Sequence, residues 1–205
     1  MAAPQLTLDD IADVRAYERE RDEFRQRVIA MKRLRRVSVG PVVTLVFENR
    51  DTIRFQIQEM ARAERLYSDE SIQAELDTYN PLIPGRGELS ATMFIELTSR
   101  EEMEEWLPKL IGVETAVALE IGSGESTEIV GCKVDPAHAA QLTREDVTAA
   151  VHFVRFELDP AQVALFADGP VTLQVRHPRY RESVLLGEAT RAALMEDLSG
   201  AGVQG

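Results

Sequence analysis

The residues best suited to chemistry gather where an apolar run gives way to polar side chains. Residues 42–47 end in Glu48, Asn49, Arg50 and Asp51, and Gln56, Gln58, Glu59 and Arg62 follow within three helical turns. Arginine, amide and carboxylate groups at a strand-to-helix junction suit capture of a small anion. Guanidinium forks bind carboxylate or phosphate in two-point fashion, and the first amides of a helix add partial positive charge. Arg86 lies between Gly85 and Gly87, with Glu88 next, on a loop able to fold over that junction. In such a site Arg50, Arg62 and Arg86 hold the anion, and Glu59 or Asp51 is placed to act as a base. The competing reading is an ion-pair network, Asp51 with Arg54 and Glu59 with Arg62 along one helix, crossed by Arg86 and Glu88.

Of the three histidines, His138, His152 and His177, two fall on strand faces. His152 shares a face with Val154 and Phe156, and His177 extends that of Val171, Leu173 and Val175. Were those strands neighbours, the imidazoles could approach, with Glu157, Glu182 or Cys132 completing a mixed nitrogen and oxygen metal site. No helical i, i+4 spacing joins any two histidines, so the competing reading is of core and strand-end residues. The chain contains no phosphate-binding glycine loop, dinucleotide fingerprint, nucleophile elbow or paired-cysteine motif. No catalytic residue and no cofactor is predicted.

The elements that position these groups read as an α+β chain, a mixed α/β arrangement with helices first and strands dominating the second half. A first helix is expected from about Thr7 to Leu34 with a possible break, its apolar stripe being Tyr17, Phe24, Val28, Met31 and Leu34. Residues 37–47 read as extended with a turn at Gly40-Pro41, and 42–47, apolar on both faces, as an interior strand. Asp51 or Thr52 is placed to cap the next helix, and Ser68 opens another that ends at Asn80-Pro81. A strand over 91–97 precedes a helix capped by Thr98 or Ser99 and ended by Gly112. Residues 116–134 read as a hairpin tipped by Gly122-Ser123-Gly124, and 135–150 as partly helical. A strand over 151–158, a short helix after Asp159-Pro160, a strand over 171–177 closed by Pro178, and a helix over 187–198 complete the order. The division expected is 1–112 as a helical and strand unit, 113–198 as a strand-rich unit and 199–205 as a loose tail, or one continuous domain.

Length and charge narrow the class. The chain has 205 residues, a net charge of −12 and one cysteine, Cys132. Such a length buries a core without staples, and a single thiol permits no internal disulfide, which points to a reducing, cytoplasmic setting. The first 40 residues hold nine Lys/Arg against seven Asp/Glu, so the remainder carries −14. An acidic body repels phosphate backbones, which excludes nucleic acid as an expected partner. The basic run Lys32-Arg33-Leu34-Arg35-Arg36 falls at a helix end, where cations meet the negative end of the dipole. No apolar run reaches the length of a membrane span, and the N-terminus lacks the pattern of a secretory signal.

Several strings together resemble a family known as domain of unknown function 3501. They are Leu8-Asp9-Asp10-Ile11, Phe47-Glu48-Asn49-Arg50-Asp51-Thr52, Gln56-Ile57-Gln58-Glu59-Met60, Tyr79-Asn80-Pro81-Leu82-Ile83-Pro84 and Arg86-Gly87-Glu88-Leu89-Ser90-Ala91-Thr92. Val154-Arg155-Phe156 and His177-Pro178 with Tyr180 extend the resemblance over nearly the whole chain. The family brings no assigned activity and no catalytic residues. Its genes often neighbour those of rubrerythrin-like diiron proteins and iron–sulfur oxidoreductases. The resemblance therefore implies an accessory role with a redox protein as partner. The leading expectation is a non-enzymatic, acidic binding protein, possible as a homo-oligomer. The alternatives are an enzyme or receptor for a small anion and a metal-binding protein using His152 and His177.

Overall fold

The computed structural model describes residues 5–134 and 147–200. The fold is α+β. Among the described residues, eight strands form two antiparallel sheets. In the first sheet the order is β1 (Arg36–Val39), β2 (Val43–Glu48), β3 (Glu88–Ile95) and β6 (Val151–Glu157). In the second it is β5 (Glu128–Gly131), β4 (Val117–Ile121), β7 (Val171–His177) and β8 (Tyr180–Leu185). The helices are α1 (Val14–Arg35), α2 (Arg50–Glu64), α3 (Asp69–Tyr79), α4 (Arg100–Trp106), α5 (Pro160–Asp168) and α6 (Glu188–Ser199). No helix among the described residues is long and apolar enough to cross a membrane.

The core lies between the sheets. Leu45, Phe47, Leu89, Met93 and Phe156 of the first pack with Leu119, Leu173 and Val175 of the second, and Phe166, Leu194 and Leu198 join from α5 and α6. Residues on both sides of position 112 thus share one apolar cluster. Each such side chain contributes roughly 1.5–3 kcal/mol by leaving water. The sheet edges are stitched at both seams. Lys133 and Arg155 exchange backbone hydrogen bonds of 2.7 and 2.9 Å, joining the β5 strand end to β6. On the other side the Tyr180 hydroxyl donates to the Val39 carbonyl at 2.6 Å and accepts from the Val42 and Val43 amides.

The two sheets differ in what covers them. Every residue of β2 is buried, as its two-sided apolar pattern requires, and α1 packs along it. The outward residues of the second sheet are exposed or half-buried except Ala118, and β8 buries only Tyr180. β8 is a strand the sequence pattern does not announce. Pro178 closes β7, yet it also starts the two-residue turn of a hairpin in which His177 pairs with Tyr180. The fourth helix stops at Trp106, short of the expected Gly112. Most of the stretch expected to be partly helical, 135–150, lies outside the described residues, as do His138 and the end of the tail.

Candidate functional site

Helix α2 starts two to three residues earlier than a cap at Asp51 or Thr52 implies. Asn49, not Asp51 or Thr52, is the cap: its side-chain oxygen accepts the Thr52 amide at 3.0 Å, and the Thr52 hydroxyl accepts the Asn49 amide at 2.9 Å. This reciprocal pair fixes where the helix leaves β2 and which face it turns inward. Ile53 and Ile57 are buried with Leu6, Leu76 and Ile83, while the polar side of α2 meets the N-terminal segment and α1.

That polar side is closed by partners from residues 10–21. Arg50 pairs with Asp10 at 2.5 Å, and Arg54 donates its Nε to the Asp10 carbonyl at 2.7 Å. Gln58, fully buried, grips the backbone of Ala12 at both ends: its oxygen accepts the amide at 2.7 Å and its nitrogen donates to the carbonyl at 3.1 Å. Glu59 receives two hydrogen bonds from Arg21, at 2.8 and 2.9 Å, and a third from the Tyr17 hydroxyl at 2.7 Å. Arg62 pairs with Glu18 at 2.5 Å. Arg54 also stacks over Phe24, 5.2 Å from its centroid. Asp51 is exposed and Gln56 half-buried.

The electrostatics follow from these contacts. The Arg21 fork, against an opposing effect of burial and with help from Tyr17, holds the Glu59 carboxyl below the usual carboxylate range. Burial alone would raise Asp10, but the Thr7 amide and Arg50 outweigh it and keep the carboxyl low. Burial and the hydrogen bond to Glu59 push the Tyr17 hydroxyl well above its ordinary value. A carboxylate so held is a poor base, because three donors stabilise the form it must leave to accept a proton.

The loop half of the predicted set goes elsewhere. Glu88 accepts the Gly85 amide at 2.8 Å and pairs with Arg155 of β6 at 3.0 Å. Arg86 is exposed, on the side of the molecule where α6 ends: a methyl group at Gly200 would come within 3.7 Å of its Cβ. The structure thus brings Arg50, Gln58, Glu59 and Arg62 together with residues 10–21, leaves Asn49 to cap α2 and donate to the Met31 sulfur, and ties Glu88 to β6. The pairings expected along α2, Asp51–Arg54 and Glu59–Arg62, are replaced by pairings with Asp10, Glu18 and Arg21. Those partners are 38 to 44 residues away in sequence, beyond any local spacing rule.

The histidine strands are not neighbours, since β6 belongs to the first sheet and β7 to the second. His177 places Nε2 3.1 Å from the Ile111 carbonyl and accepts the Arg179 amide on Nδ1 at 3.2 Å, so both nitrogens serve the local fold. His152, fully buried, has Nε2 2.9 Å from the Ala149 carbonyl and 2.9 Å from the Thr148 hydroxyl. A carbonyl only accepts, which assigns the proton to Nε2. The His152 Nδ1 and the buried Glu114 Oε2 have no hydrogen-bond partner. Cys132 donates to the Glu114 carbonyl at 3.0 Å, and burial pushes its thiol up to about 11, away from nucleophilic use. Among the described residues no three His, Cys, Asp or Glu side chains are placed to hold a metal ion.

Comparison with known proteins agrees with the fold and names no activity. A crystal structure described as a novel protein of unknown function from Burkholderia pseudomallei K96243 is similar to this chain at 36% identity. The likeness has a TM-score of 0.85 and covers 95% of this chain and 100% of that one. No curated protein matches it. The family described as protein of unknown function DUF3501 matches residues 5–198, nearly the full length, and the chain belongs to that family.

Proposed function

We propose that this chain is a binding protein without catalysis of its own, an accessory component that acts on another protein through its surface. The observation that supports this most is the closure of the polar side of α2. Arg50, Gln58, Glu59 and Arg62 each end on a protein partner, so a small anion entering there must first displace Asp10, Ala12, Arg21 or Glu18. Leaving the buried Gln58 amide unpaired costs roughly 1–3 kcal/mol per group, which a weakly held anion does not offset, while the partly exposed ion pairs add less. The acidic body, at −12 overall, favours a partner that presents a basic surface and speeds its approach. The partner class we propose is an iron–sulfur or diiron oxidoreductase of the cytoplasm. That part rests on the family resemblance and on the single cysteine.

A thermal-shift titration of the full chain with inorganic phosphate and with succinate tests the reading, with Arg50→Gln as control. The expected result is no saturable stabilisation by either anion. A saturable rise in melting temperature that Arg50→Gln abolishes would overturn it in favour of an anion receptor.

A further inference from the structure

The outer face of the second sheet exposes apolar and basic side chains side by side. The strand register sorts its outward side chains into three rows across the sheet. One end row is Ile129, Glu120, Thr172 and Leu185, and the middle row is Gly131, Ala118, Gln174 and Ser183. The other end row sets Arg176 directly opposite Arg181. Ile129 is 42% exposed and Leu185 63%. Opposed like charges on neighbouring strands lower stability, and among the described residues neither arginine has an ion pair. A hydrogen-bonded chain runs flat along the face: Arg176 Nε donates to Gln174 Oε1 at 2.9 Å, and Gln174 Nε2 donates to Glu120 at 2.9 Å. Beside Arg176 and Arg181 a shallow recess of about 520 Å³ opens, flanked by Gln174, Glu182 and Ser183.

We propose that two copies of this chain dock face to face through the outer surface of the β5-β4-β7-β8 sheet. The two-fold axis lies in the contact plane and runs across the strands along the middle row. Charge complementarity selects this occupant. Rotation about that axis exchanges the end rows, so Arg176 and Arg181 of each copy meet the row that contains Glu120 of the other. The unpaired guanidinium groups gain a carboxylate, and the recess beside them receives it. Small residues in the middle row, Gly131, Ala118 and Ser183, let the backbones approach, and the Arg181 stem covers Leu185 of the opposite copy. One patch meets itself, as a closed dimer requires. This inference is independent of the accessory role, since the helix-covered side stays free for another protein.

Sedimentation velocity of the full chain over a range of concentration and salt is the test. The expected result is a dimer that weakens as salt rises. Arg176→Glu with Arg181→Glu is expected to give a monomer, as is Glu120→Arg alone, each with an unchanged far-ultraviolet circular dichroism spectrum. Mixing the two monomeric variants is expected to restore a dimer, because each then presents the charge the other lacks. Should a variant lose its fold, hydrogen exchange on the wild-type chain decides. Concentration-dependent protection of β4, β7 and β8 supports the proposal, and protection elsewhere overturns it. A wild-type monomer at every concentration, or variants that stay dimeric, also overturns it and leaves the face to a different protein.

Discussion

At the scale of single residues, the most deeply buried ion pair among the described residues is remote from the predicted site. Arg35, at the end of α1, holds Asp197 of α6 through two hydrogen bonds of 2.5 and 2.9 Å, with both side chains almost wholly buried. Arg35→Met strands a buried carboxylate and is expected to lower unfolding free energy by about 3–5 kcal/mol, read by urea denaturation. Pairing it with Asp197→Leu removes both charges and is expected to recover most of that loss. His152 supplies a pH dependence. Burial lowers its pKa, against an opposing pull from Glu114, so the folded state prefers the neutral ring. Its stabilising share is complete above the unfolded value of about 6.5 and is lost as pH falls from there through the lowered folded value. Melting temperature against pH is expected to decline on that limb for the wild-type chain and to flatten there for His152→Gln. Glu59 and Asp10, both held low, add a second decline at more acid pH as their carboxylates protonate.

At the scale of elements, two junctions carry the geometry. Asn49→Ala removes the cap of α2 and is expected to cost about 1 kcal/mol in denaturation. Gly40, at φ +73°, turns the chain between β1 and β2 against the seam with β8. A Cβ there would come within 2.4 Å of the Glu182 Cγ and 2.5 Å of the Tyr180 hydroxyl. Gly40→Ala is therefore expected to lose more than the roughly 1 kcal/mol of backbone strain alone, with hydrogen exchange rising first in β1 and β8. These elements also show what patterns of residues can and cannot carry. The two-sided apolar run of β2, the Ser68 and Asp159 caps and the β4–β5 hairpin were all legible, because each signal is local and periodic. The Asn49 cap was masked by Asp51 and Thr52, which look equally good two and three residues later. β8 escaped because an edge strand with one buried residue shows no alternation. The partners of Arg50, Glu59 and Arg62 escaped because acidic neighbours on α2 offered a local pairing, whereas tertiary packing supplied α1 and the residues before it.

At the scale of the whole molecule, the halves of the chain contribute one shared core, and the sheets present unequal outer faces. The first is roofed by helices whose polar contacts close on themselves. Among the described residues no helix covers the second, which has a basic row without ion pairs at one end and Glu120 at the other. On the proposed reading, function lies in what the surfaces meet, a second copy on the outer face of the second sheet and a different protein elsewhere on the surface. Loss of the dimer alone would leave the accessory role standing, and loss of the partner alone would leave the dimer. Native mass spectrometry of the chain purified gently from its own cells reads both at once, together with any small molecule. The account predicts masses of the chain in complex with protein, including a discrete redox subunit, and no stoichiometric small anion. A chain that carries a bound small anion at full occupancy, released by Arg50→Gln, would contradict it.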